Sequence, residues 1–301
     1  MHQKPAYSGY WLFEVKCRPT ILLCCTMLWC TTDVAAQDVP KLVLEDQISV
    51  YDRSEKLTEP SGLSVGTRAA FWTVSDDHPF ILGLASNGVV ILKIPVGKGG
   101  KDLEGVIEDQ INERLLAVSE RNTEIISVDI NDPSKVTRHP LNEMAGFSDL
   151  VSEIGSDWQK NGLEGIAVDP KTGKIYVVKE RRPRMIIEVS ADLSAILATE
   201  VLSREAGLIS PTEKDRDLDI SGIAFDPARV GQWILSDTDS AVFFRSFSEG
   251  VVYRYRLVRM YDGEWEPLSN PEGIALSSDG NELFIISDDG KGSLLLRYGV
   301  E

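Results

Sequence analysis

Ten carboxylates recur through this 301-residue chain in a fixed relation to glycine. In three copies the acid stands directly before the glycine, as Glu104-Gly105, Glu164-Gly165 and Glu272-Gly273. In two copies a serine takes that place and the acid lies two residues upstream of it, as in Glu59-Pro60-Ser61-Gly62 and Asp219-Ile220-Ser221-Gly222. A second acid follows each glycine after 14 residues in the first copy and 15 in the others: Asp76, Glu120, Glu180, Asp237 and Asp288. Gathered together, so many like charges raise one another's pKa and oppose folding unless a cation compensates. All four cysteines lie at or before Cys30, and beyond the N-terminal region the only histidines are His78 and His139. A donor set of carboxylate oxygens without thiolate or imidazole selects a hard cation, and Ca2+ is the expected one. Loop amides or the adjacent Arg121, Lys179 and Arg181 could satisfy part of such a ring instead.

The elements that must position these acids are plainest at residues 161–181, NGLEGIAVDPKTGKIYVVKER. Two apolar runs flank turn chemistry at Asp169-Pro170-Lys171-Thr172-Gly173, which predicts a β-hairpin whose opening and closing acids return to one edge. From glycine to glycine the steps are 43, 60, 57 and 51 residues, blade-sized spacing for a β-propeller. Further strands are expected at residues 80–85 and 89–94, 124–130, 185–189 and 196–202, and 242–247 and 251–258. The fold class is therefore all-β, a five-bladed β-propeller, with six blades only if residues 147–158 hide a degenerate one. The last copy ends with a single strand at residues 293–298, and residues 47–51 alternate as a strand without a hairpin of their own. An N-terminal strand pairing into the last blade would close the ring and leave only short edges. Residues 142–159 and 203–216 are read as insertions of modest helical character. In a propeller the loop entering the first strand and the loop leaving the second share one face. All ten acids are thus expected around one mouth.

The N-terminus reads differently. Lys16 and Arg18 precede eleven residues, TILLCCTMLWC at 20–30, and small residues follow at Val34-Ala35-Ala36. This is the pattern of a secretory signal peptide over residues 1–36, too short to span a bilayer, with the propeller domain at 37–301. Trp29 before Cys30 argues against a lipoprotein. A periplasmic or secreted location follows, with no membrane insertion after cleavage. Cleavage would remove every cysteine, leaving no disulfide framework. It would also remove three basic and two acidic residues, making the remainder one charge more negative than the formal −16 of the whole chain. So acidic a surface argues against nucleic acid and anionic membrane as partners and is compatible with cations.

Other motifs carry less. Gly62-Leu63-Ser64-Val65-Gly66 matches a nucleophile-elbow pattern, but Ser64 falls inside a strand and not on a strand-to-helix turn. His78 lies on the expected mouth loop, and His139 is read as solvated in a polar loop. Asp237-Thr238-Asp239 and Asp288-Asp289-Gly290 lack the spacing of a twelve-residue calcium loop. Trp72, Trp233 and Phe284 are expected in the core. Arg181-Arg182-Pro183-Arg184 is read as a solvated turn, with an anion grip as the alternative.

The tandem order EPSGL (59–63), DLEGV (102–106), GLEGIAVDP (162–170), DISGIAFDP (219–227) and PEGIA (271–275), with its closing acids, resembles the SdiA-regulated family of bacterial exported proteins, distant relatives of NHL-repeat propellers. The resemblance runs from Leu57 to the C-terminus. It implies a five-bladed propeller with a bound calcium site and no established enzymatic activity. The expected function is that of an exported calcium-binding propeller, a monomer, with an unidentified small-molecule or protein ligand at the mouth. The insertions depart from the family pattern and bear on the shape of that mouth. Entry motifs of the EGIA type are also similar to phytase-associated esterase-like propellers, which keeps a metal-dependent esterase or phosphoesterase as the alternative. Sugar-lactone hydrolases place calcium at a propeller mouth too, but with asparagine ligands. Residues two apart on a strand share a face. Glu104, Glu164 and Glu272 should then point inward where Ser61 and Ser221 do in their own blades, an asymmetric ring suited to one off-axis ion.

Overall fold

In the computed structural model, which describes residues 39–155, 158 and 162–301, the strands form five four-stranded antiparallel sheets and one extra hairpin. Blade I holds β2 (Pro60–Val65), β3 (Phe71–Ser75), β4 (His78–Leu84) and β5 (Val90–Pro95). Blade II holds β6 (Leu103–Asp109), β7 (Arg114–Ser119), β8 (Glu124–Asp129) and β9 (Val136–Pro140). Blade III is β10 (Leu163–Val168), β11 (Ile175–Lys179), β12 (Met185–Val189) and β13 (Ile196–Val201). Blade IV is β14 (Gly222–Asp226), β15 (Gly231–Ser236), β16 (Ala241–Ser246) and β17 (Val251–Arg256). Blade V combines β20 (Pro271–Leu276), β21 (Glu282–Ser287) and β22 (Leu294–Val300) with β1 (Leu42–Ser49), which pairs outermost from Leu42↔Val300 to Ser49↔Leu294. The expected leader lies outside the described residues.

The first strands of the blades adjoin in the cycle β2-β6-β10-β14-β20 and back to β2, so the ring is closed. Glycine makes that approach possible. A Cβ on Gly105 would sit 2.6 Å from the Glu164 carbonyl oxygen, and one on Gly273 would sit 2.5 Å from the Gly62 carbonyl carbon. Farther out, both faces of every blade are buried, so the middle strands read as unbroken apolar runs. Along β7, Leu115 and Ala117 pack against blade I, while Leu116 and Val118 pack against blade III. The period-two geometry of a strand thus feeds two wedges at once. Five wedge cores result, one between each pair of neighbours. Trp72, Trp233 and Phe284 are buried in them, as expected.

Several expectations change. In place of a sixth blade, Phe147–Ile154 is a helix, α1, whose Leu150 enters the wedge between blades II and III, and Phe147 meets Trp158 edge-on at 4.8 Å. Residues 203–216 contain only turns and extended chain, no helix. Blade II has a fourth strand, β9, and His139 lies half-buried in it rather than in a solvated loop. Burial and the Arg114 charge hold its imidazole below the ordinary pKa. The strand expected at residues 251–258 ends at Arg256, and Leu257, whose side chain is fully buried and whose amide bonds to the Ser240 carbonyl, closes the blade. A separate hairpin follows, β18 (Val258–Tyr261) and β19 (Glu264–Pro267). Its turn, Asp262-Gly263, has both φ positive, at 48° and 83°, the type I′ signature. Gln47 of β1 clamps the hairpin through both the amide and the carbonyl of Met260 (2.9 and 2.8 Å). Arg184, read as part of a solvated turn, is buried and donates to the carbonyls of Leu202 and Leu218.

Candidate functional site

The blade hairpins bring opening and closing acids to one edge by backbone pairing. The amides of Asp76, Glu120, Glu180 and Asp288 each donate to the carbonyl three residues before the motif glycine of their own blade, at 2.8–3.2 Å. Blade IV achieves the same closure with a side chain: the Asp219 carboxylate accepts from the Thr238 amide at 3.2 Å. Around the axis this leaves a cavity of about 200 Å³. Glu104, Glu164 and Glu272 line it from the innermost strands, Glu59 and Asp219 from entry loops, and Asp76, Glu180, Asp237 and Asp288 from closing loops. Ser61 and Ser221 line it where the other blades carry glutamate. Nine of the ten acids thus meet in one cavity. Glu120 does not line it and instead accepts from the Gly162 amide of the next blade at 2.9 Å.

Crowding acts as electrostatics requires. Burial, then the Asp76 charge, lift Glu104 from 4.5 to about 8, against the pull of a Ser61 hydroxyl that donates to it at 3.0 Å. Glu164 is held well above its ordinary range by burial and by Glu104, Glu180, Glu120 and Glu272. Glu272 is raised by burial and by Asp237 and Glu104. Asp237 rises to about 6, chiefly through burial, with Asp219 adding to it and Arg181 opposing. Glu59, Asp76 and Asp288 are raised as well, burial being the first cause in each.

The ring is not uniform. Asp219 is satisfied by Ser236 Oγ at 2.6 Å and Thr238 Oγ1 at 3.0 Å, and Glu180 is ion-paired with Arg181. Both are engaged by protein donors, as are Glu120, Glu104 through Ser61 Oγ, and Asp288 through the Gly290 amide at 3.1 Å. Arg121, expected beside Glu120, pairs with Asp102 instead. Asp77, which the repeat pattern did not single out, is the first of the charges that raise Glu59, after burial. His78 begins β4 and does not line the cavity. Lys179 is buried where the four other blades carry serine, and its Nζ donates to the Arg181 carbonyl at 2.6 Å. That departure is visible on aligning the five closing motifs.

Among the described residues, the carboxylates of Glu164 and Glu272 have no hydrogen-bond or ion-pair partner. Unpaired buried carboxylates are costly, and oxygen donors facing a cavity fit a hard cation by their chemistry. No three acidic or histidine side chains among the described residues already surround one point as ligands would, so an ion would have to draw them inward.

Fold and site together define a five-bladed β-propeller with a carboxylate-lined channel mouth. The chain belongs to the SdiA-regulated family, whose model matches residues 57–290. In fold it is similar to a streptogramin B lyase, at 11% identity and a TM-score of 0.50, over 87% of this chain and 98% of that one. It is also similar to a gluconolactonase from Xanthomonas campestris, at 12% identity and a TM-score of 0.50, over 87% and 98% of the two chains. At such identity the likeness is one of architecture. Among the described residues no helix is long and apolar enough to cross a membrane.

Proposed function

We propose that this protein is an exported calcium-binding propeller that holds a small-molecule or protein ligand at its acidic mouth. The observation that carries the reading is the pair of inward carboxylates, Glu164 and Glu272, that line the cavity with no protein group hydrogen-bonded or ion-paired to them. Glu104 completes the inner set, with Asp76, Asp237, Glu59 and Asp288 around it. Bound there, Ca2+ would compensate their charge and offer an oxygen-seeking contact to the ligand. The leader-like N-terminus supports export. The test is a melting curve of the full chain: chelation should lower the melting temperature and added Ca2+ restore it, since a ligand bound only by the native state stabilises it. Glu104→Gln or Glu164→Gln should weaken Ca2+ binding more than Glu59→Gln. A curve that ignores chelator would discard the metal.

One observation favours a hydrolase as second reading. The carboxyl of Glu104, lifted to about 8, exchanges its proton near neutrality, as a general acid–base must. A gluconolactonase is among the solved structures of similar fold. Turnover of aryl esters or phosphoesters with Ca2+ present, lost in Glu164→Gln with the fold intact, would favour it; no turnover would leave the binding role.

A further inference from the structure

The acids of the mouth divide into two halves by their counter-charges. On the side of blades III and IV, Arg181 pairs with Glu180, and its positive charge also reaches Asp219, Glu164 and Asp237. The Arg181 Nε is buried without a hydrogen-bond partner, and the Lys179 ammonium fixes the Arg181 carbonyl from behind at 2.6 Å. On the opposite side, Glu59, Asp76 and Asp288 meet like charges: Asp77, Asp288 and Asp76 act on Glu59, and Asp102, Asp77 and Glu120 on Asp76. Arg121 opposes the rise of Asp76 but is largely exposed and ion-paired with Asp102.

We infer that Arg181, ion-paired with the cavity-lining Glu180, is a built-in counter-cation that takes the role of a second metal ion on the blade III–IV side and limits the mouth to one. This rests on the cation-binding reading above. An ion among Glu104, Glu164 and Glu272 leaves Glu180 and Asp237 to the guanidinium. Removing that charge frees both carboxylates, beside Glu164, for a second ion. A point charge fixed by the chain cannot leave, so the wild-type protein never pays the repulsion of two divalent ions in one small cavity.

The experiment is calorimetric titration of Ca2+ into the chelator-stripped full chain, repeated with Tb3+ luminescence. One equivalent is expected for wild type, two for Arg181→Gln, and one for Arg181→Lys, which keeps the charge. Adding Asp237→Asn to Arg181→Gln should abolish the second equivalent. Glu180→Gln supplies an independent measurement should the Gln variant not fold. Releasing the Arg181 charge toward the inner acids should raise the Kd of the single ion about tenfold, the scale of one unit charge several ångströms away. One equivalent in both wild type and Arg181→Gln, or an unchanged Kd in Glu180→Gln, overturns the role of Arg181 and leaves the metal site standing. No binding to wild type overturns the cation reading itself.

Discussion

Replacing Glu104 with glutamine should stabilise the calcium-free protein and weaken its response to calcium. Burial and Asp76 lift this carboxyl from 4.5 to about 8, so the folded state binds its proton more tightly than the unfolded state does. Its contribution is therefore fully favourable below pH 4.5, is lost as pH rises through 8, and levels off above. A gap of that width corresponds to about 5 kcal/mol at pH 9 and about 3 kcal/mol at pH 7, at 1.36 kcal/mol per unit. Glutamine removes the titrating group yet keeps the side-chain length and an acceptor for Ser61 Oγ, which stands 3.0 Å away. For a domain of this size about 3 kcal/mol raises the melting temperature by roughly 6–12 °C. The assay is thermal melting of wild type and Glu104→Gln in chelator at pH 5, 7 and 9. The advantage of the variant should grow with pH, and saturating Ca2+ should reverse it, because an oxygen ligand has been lost. A difference that stays flat with pH, or a variant less stable than wild type at pH 9 in chelator, would refute the claim that Glu104 is an uncompensated inner carboxylate.

Two further outcomes test the frame around the mouth. Gly105→Ala should cost about 3 kcal/mol, read from the urea midpoint, because the new Cβ meets backbone atoms of blade III that cannot give way, at 2.6 Å from Glu164 O and 3.0 Å from Gly165 Cα. A loss under about 0.5 kcal/mol would mean that the inner strands are less tightly closed. Arg184→Gln should cost about 2–4 kcal/mol and expose residues 203–217 to limited proteolysis, since the buried carbonyls of Leu202 and Leu218 lose their donor at 2.9 and 3.1 Å. Unchanged cleavage kinetics would show that the segment is held by other contacts.

The repeat itself was legible because it is local. Each hairpin is fixed by turn residues and by alternation within about twenty positions, so strand existence, blade count and the return of both acids to one edge follow from near neighbours in the chain. The hairpin at Val258–Pro267 carried such a signal too, Asp262-Gly263, but the strand-like stretch from Val251 conceals the buried break at Leu257. β9 was hidden for a related reason: its sequence, VTRHP, is polar, because an outermost strand buries little. Which acids stay free was decided elsewhere. Glu120 is taken by an amide of the next blade, Asp219 by hydroxyls of its own closing loop, and Glu180 by an arginine whose seat depends on a buried lysine. Residue types and strand register set Glu104, Glu164 and Glu272 apart as inward-facing but could not divide the other seven acids into held and free. Burial and partnering are properties of the closed ring, where residues as far apart in the chain as Glu120 and Gly162, 42 positions, come within hydrogen-bonding distance. Only there does the difference between a satisfied carboxylate and an uncompensated one exist.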